Sequence, residues 1–214
     1  LNRISWRANA NKESEGDVTT HTIPLSELLG PGGGIASGPI KRVGNHLYFY
    51  DEISPVSILE LNENLKALEK DSQRIAIEYE MEPPPIHLHI SSGGGDVHSG
   101  IAGMETILNC KVPVYTYVEG FVASAATFLS MAGKKRFIGA NSSILIHQIT
   151  AGFWGKHEEF KDEMANLDHL MAIVQKFYKA KTKLPEKEMQ ALLKRDLLLD
   201  ATKCKRYGMV DVIL

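Results

Sequence analysis

The chain has 214 residues, 43% of them hydrophobic and 23% charged, which supplies one globular core and excludes disorder as the state of the whole. Lys and Arg number 24 against 26 Asp and Glu, a net charge of −2, so the basic excess expected of a nucleic-acid-binding surface is missing. The two cysteines, Cys110 and Cys204, lack CxxC spacing, which argues against a disulfide framework or cysteine zinc site and for a reducing compartment, and no apolar run reaches the roughly 18 to 20 residues of a membrane helix.

Residues 1–40 combine a charged stretch, 9–17, with the run Gly30-Pro31-Gly32-Gly33-Gly34 and little apolar periodicity, and read as an extended N-terminal arm. The arm starts at Leu1 with polar residues, so it reads as a processed or truncated end of a soluble chain. The remainder, 41–214, reads as one domain. A strand at 47–50 leads to Ser54-Pro55, where serine can cap free amides and proline fits a first helical turn. Ile58, Leu61, Leu65 and Leu68 then recur at helical spacing, until Pro83-Pro84-Pro85 forbids continuation. A strand at 86–90, a glycine turn at 93–95, a helix at 96–109, a strand at 112–118, a turn at Gly120 and a small-residue helix from about Ala123 follow. Short strands at 136–138 and 143–146 precede a glycine-bearing loop at 151–155. A second long helix, 156–181, carries Phe160, Met164, Leu167, Met171, Val174 and Tyr178 as an apolar stripe. A helix after Pro185, a short helix ended by Gly208 and a strand at 210–214 close an α/β pattern with no internal repeat.

Ser124 falls at the expected strand-to-helix turn, where unpaired helix-start amides can hold a developing oxyanion, which makes it a candidate nucleophile. The competing explanation is that Ala123, Ser124, Ala125 and Ala126 are small for close packing, and the elbow signature GxSxG is absent. A base is supplied by His147, which closes the strand-like run Ser143-Ile-Leu-Ile-His147, although a merely packed strand-end histidine fits equally well. His87 and His89 share a strand face and, with His98, raise a metal site that lacks a tightly spaced third ligand. A buried carboxylate should orient the histidine. Asp196 after Lys194-Arg195 suits this better than Asp200, which is explained as the cap of the helix at 201–207. Ser91-Ser92-Gly93-Gly94-Gly95-Asp96 has neither a Walker lysine nor GxGxxG order, so its bare amides suit a peptide backbone or oxyanion rather than a nucleotide.

Four segments in this order, 91–100, 120–126, 141–148 and 196–211, resemble the ClpP family, the proteolytic subunits of the Clp protease, from about Val43 to Leu214. The resemblance implies an α/β ClpP/crotonase-like fold of repeated strand-strand-helix units with a protruding handle helix, here 156–181. It implies a Ser124, His147, Asp196 triad in a ClpP-like serine peptidase domain over 41–214. It further assigns the oxyanion and substrate amides to Gly95, Ala125 and Gly94. By the same resemblance Arg195 is a ring contact in a homo-oligomer of two stacked heptameric rings that cleaves unfolded polypeptides, with an ATP-driven AAA+ unfoldase of unknown identity as partner. No metal or other cofactor is implied for bond cleavage, and no membrane or nucleic-acid partner. The implied location is the cytoplasm, that of the host for a phage-encoded chain.

The sequence departs from the family where Gly93 and Ile149 replace prolines, where the interval from Ser124 to His147 is slightly short, and throughout 1–40, which does not resemble the axial loops. Two other readings stand beside it. One is a Ser-Lys peptidase resembling signal peptide peptidase A, with Lys176, Lys179 or Lys181 as base. The other is a non-catalytic ring component or crotonase-like acyl-CoA binder.

Overall fold

The computed structural model describes residues 40–214; the expected arm lies outside the described residues apart from Ile40, which opens the first strand. That strand, β1 (Ile40–Val43), forms an antiparallel hairpin with β2 (His46–Phe49) through Gly44 at φ 59°, a left-handed position suited to glycine. The sequence pattern misses β1 because only Ile40 of its four residues is buried.

Helix α1 (Pro55–Glu78) starts as its sequence dictates. Ser54 Oγ accepts from the Ser57 amide at 3.1 Å, Ser57 Oγ accepts from the Ser54 amide at 3.0 Å, and Pro55 fills the first turn. The chain then passes through β3 (Ile86–Ser92), α2 (Val97–Leu108), β4 (Val114–Ala123), α3 (Ala126–Ala132), β5 (Lys135–Ile138) and β6 (Ser143–Leu145). It ends with α4 (His157–Lys181), α5 (Glu186–Leu193), β7 (Leu199–Asp200), α6 (Ala201–Arg206) and β8 (Val212–Ile213).

The sheet runs β1-β2-β3-β4-β5-β8, parallel after the first hairpin, while β6 pairs with β4 and with β7 off this path. Alternation sets the faces. Ile86, Leu88 and Ile90 of β3 and Val114, Thr116 and Val118 of β4 are buried in the core with Leu61, Leu65 and Leu129. The opposite face carries His87, His89, Tyr115 and Tyr117, half-buried.

Strand β4 corrects the expected boundary at Gly120. Gly120 takes φ 68° inside the strand, and the β3 pairing shifts between Ile90 and Ser92. The glycine therefore kinks the strand without ending it. The first half of β4 pairs with β5 and the second half, Phe121 to Ala123, with β6, so two parallel strands share one neighbour. This places the ends of β4 and β6 side by side.

In α4 only Val174, Phe177 and Tyr178 are buried, while Phe160 and Met164 of the expected stripe are 49% and 61% exposed. Among the described residues no helix is long and apolar enough to cross a membrane.

Candidate active site

Ser124 is one residue past the Ala123–Leu145 pair of β4 and β6, at φ 54°, a left-handed conformation uncommon and strained for a residue with a side chain. The turn is held on both sides. Its amide donates to Leu145 O at 3.0 Å, and its carbonyl accepts from the Thr127 amide at 3.0 Å and from Thr127 Oγ1 at 2.6 Å. The packing explanation for the small residues is met, since Gly100 of α2 lies so close to Ala125 that a Cβ there would sit 3.0 Å from the alanine methyl.

The glycine turn lies against this serine. A Cβ on Gly94, at φ 96°, would fall 2.6 Å from Ser124 Cβ and 2.8 Å from Ala123 O. Gly95 is pinned by the bridge to Ile53, whose amide donates to Gly94 O and whose carbonyl accepts from the Asp96 amide, both at 2.8 Å. In such a parallel bridge the central residue's own N–H points away from the partner, so the Gly95 amide lies on the free side. Ala125 carries one of the first amides of α3, which have no partner within the helix. A cleft of about 520 Å³ is lined by Tyr50, Asp51, Glu52 and the 91–95 turn, Gly95 included.

His147 lies two residues beyond the same Ala123–Leu145 pair. The chain after it is tied down by Gln148 N donating to Leu193 O at 2.7 Å and by Ile149 N, which meets Met171 Sδ at 3.3 Å. His147 Nδ1 is 3.1 Å from Asp196 Oδ1, which leaves Nε2 as its free nitrogen. Ser124 Oγ makes no hydrogen bond to His147 among the described residues. The fold thus joins the histidine to the aspartate and brings the serine to the neighbouring strand end.

One expectation is corrected. The orienting carboxylate is not buried: the side chain of Asp196 is 77% exposed, against 26% for His147. The reason is local, since α5 ends at Leu193 and the chain from Lys194 to Leu198 runs along the surface, with Leu197 48% and Leu198 55% exposed. Arg195 is exposed on the same stretch. Asp200 caps α6, its Oδ1 accepting from the Lys203 amide at 2.8 Å, and that bond lowers its carboxyl pKa. Of the alternative lysine bases, Lys179 Nζ is engaged with Glu186 at 2.6 Å.

His87 and His89 do share a face, but the third imidazole beside them is His46 rather than His98. His46 Nδ1 is 2.9 Å from His89 Nε2, and His89 Nδ1 is 2.6 Å from Glu119 Oε1, which also accepts from the Tyr50 hydroxyl through Oε2. Among the described residues no group of three or more His, Cys, Asp or Glu is placed to hold a metal. Instead rings stack across the sheet, Tyr48 on His89, His89 on Tyr117 and Tyr117 on Phe137, with centroids 4.5 to 4.6 Å apart. Nothing local in the sequence marks His46 for this cluster, because it arrives only through the pairing of β2 with β3, in which His46 is opposite His87.

The fold is that of ClpP. A point mutant of ClpP1 from Listeria monocytogenes superimposes with a TM-score of 0.69 at 24% identity, covering 79% of this chain and 91% of that one. The Clp protease family model matches residues 56–214, and the chain belongs to that family. Among its relatives is the ATP-dependent Clp protease proteolytic subunit 2 of Treponema denticola, 35% identical over 131 residues, which are 60% of this chain and 66% of that protein. The subunit of the same name from Bacillus licheniformis is 29% identical over 157 residues, 72% of this chain and 82% of that protein.

Proposed function

We propose that this chain is a serine-type endopeptidase subunit that cleaves extended or unfolded polypeptides through an acyl-enzyme. The observation that carries the reading is the His147–Asp196 contact beside a serine on a strained strand-to-helix turn, with Gly94 packed on that serine. Ser124 Oγ attacks the scissile carbonyl carbon while His147 Nε2 takes its proton. The Gly95 and Ala125 amides donate to the tetrahedral oxyanion. The C–N bond then breaks, and His147 returns the proton to the leaving amine. Water, deprotonated by His147, hydrolyses the ester and restores the Ser124 hydroxyl. Asp196 holds the imidazole with Nδ1 protonated and stabilises the imidazolium.

The missing Ser124–His147 hydrogen bond and the exposed Asp196 fit a site completed by assembly, in which the exposed half of α4 and Arg195 meet other subunits of a stacked-ring homo-oligomer. An AAA+ unfoldase of unknown identity would deliver large substrates. The Lys179–Glu186 pair disfavours Lys179 as the base of the Ser-Lys reading, which leaves Lys176 and Lys181 to be separated from the triad by fluorophosphonate labelling. A silent ring component or acyl-CoA binder makes a different prediction. Incubation with a fluorophosphonate followed by peptide mapping should give a single adduct on Ser124 that His147→Ala suppresses. No adduct would favour the silent or acyl-binding readings, and an adduct indifferent to His147→Ala would favour a lysine base.

A further inference from the structure

Thr127 and Tyr178 are joined to the backbone of Ser124 by a hydroxyl chain that bears on the oxyanion site. Thr127 Oγ1 is 2.6 Å from Ser124 O and 2.7 Å from Tyr178 Oη. The proton directions are fixed by what the partners can do. A carbonyl oxygen can only accept, so the one Thr127 hydroxyl proton goes to Ser124 O, and the Tyr178 hydroxyl must donate to Thr127 Oγ1. Tyr178 is 1% exposed, and burial pushes its phenol pKa well above the ordinary value, so it remains a donor throughout the working pH range. A threonine bonding back to a carbonyl three residues earlier is common at helix starts and by itself means little. Here a buried tyrosine from α4, 51 residues away in sequence, orients that threonine.

The peptide unit between Ser124 and Ala125 is planar, and in a trans peptide its C=O and N–H point in opposite directions. Fixing the Ser124 carbonyl therefore fixes the Ala125 N–H. We infer that Tyr178 and Thr127 are positioning residues that clamp the Ser124–Ala125 peptide plane so that the Ala125 amide is aimed at the oxyanion. The inference rests on the reading of Ser124 as nucleophile. Neither side chain touches substrate; both act through one backbone amide. Because that amide is engaged most strongly when charge develops on the carbonyl oxygen, the clamp acts on kcat rather than on KM.

The test compares the full chain with Thr127→Val, Thr127→Ser, Tyr178→Phe and the double variant Thr127→Val/Tyr178→Phe. Readouts are kcat and KM on a fluorogenic peptide, the thermal midpoint, and hydrogen exchange at amides 124–128. Thr127→Val should lower kcat about tenfold, the order of one hydrogen bond, with KM nearly unchanged, and Thr127→Ser should recover the rate. Thr127→Val also leaves the Tyr178 hydroxyl buried without a partner, so its midpoint should fall, and the double variant should regain midpoint but not kcat. A kcat that returns with the midpoint in the double variant would show a purely structural role and overturn the inference. If Thr127→Val leaves kcat unchanged while Ser124→Ala abolishes turnover, the clamp fails and the proposed function stands. If the unmutated chain has no Ser124-dependent turnover, the proposed function fails. In that event faster exchange at 124–128 in Thr127→Val and in the double variant supports the clamp on the backbone, and unchanged exchange overturns it.

Discussion

His147 Nδ1 lies 3.1 Å from Asp196 Oδ1, a contact between the chain leaving β6 and the surface segment that leads into β7. Ser143 pairs with Asp200 and Ile144 with Leu199, so the chain leaving β6 and the chain entering β7 pass each other in opposite directions. Beyond the histidine the two segments are tied again by Gln148 N donating to Leu193 O at 2.7 Å. Asp200, at the ladder itself, is committed to capping α6.

The two carboxylates should therefore separate cleanly. Asp196→Asn should lower kcat/KM by about 10³- to 10⁴-fold, because an amide offers His147 the wrong hydrogen-bonding pattern and tautomer. Asp200→Asn should leave turnover intact and shift stability by only a few tenths of a kcal/mol, since asparagine also caps helices. Peptide hydrolysis and thermal melts of the two variants check this; a dead Asp200→Asn would reverse the assignment.

The glycine turn offers a second contrast. Gly93→Ala meets nothing within 4 Å and should be near neutral, within about 0.5 kcal/mol. Gly94→Ala would place a methyl 2.6 Å from Ser124 Cβ at a φ of 96°. It should cost about 1 to 3 kcal/mol and remove most activity by displacing the serine. Equal activity in the two variants would show that the turn does not shape the site.

Much of the fold was legible locally, and the failures have physical causes. Ser54-Pro55 announces α1 because a cap is a matter of adjacent residues, and β3 declares its two faces through strict alternation. Gly120 misleads because glycine punctuates turns and also permits a kink inside a strand. The position of Ser124 and His147 on neighbouring strand ends could be guessed from their places in the pattern. The exposure of Asp196 could not, since it depends on what α5 leaves uncovered. The Thr127–Tyr178 contact has no sequence signal: Tyr178 belongs to a helical stripe whose N-terminal members, Phe160 and Met164, are exposed while Tyr178 is buried.

Stability should fall with acidification because of the imidazoles on the outer sheet face. Burial lowers the pKa of His46, with His89 adding to it, and burial with His46 and His89 lowers that of His87. The unfolded chain thus binds protons more readily at these sites. Their contribution is present above about pH 6.5 and is lost as pH falls through the folded values. Glu119 and the hydroxyls of Tyr50 and Tyr117 are the other polar groups bonded to this network. Thermal midpoints measured at intervals below pH 7.5 should decline more steeply for the unmutated chain than for His46→Asn/His87→Asn. Identical profiles would remove these residues from the account.

Assembly should govern activity. Phe160, Met164 and Leu198 are 49%, 61% and 55% exposed, and full burial of a large apolar side chain against a second subunit would stabilise by roughly 1.5 to 3 kcal/mol. Arg195 adjoins Asp196, so Arg195→Ala should weaken association and lower kcat/KM by about tenfold or more together. Sedimentation velocity run beside peptide assays would show it. A dissociated Arg195→Ala that keeps full activity would break the link.

The most direct measurement is hydrolysis of a short fluorogenic peptide by the assembled protein and by Ser124→Ala, with folding checked by thermal melt. The substitution removes one hydroxyl and leaves little cavity. The account predicts an unchanged melt and a loss of kcat/KM of about 10⁴-fold or more. Retained turnover in a folded Ser124→Ala would contradict it.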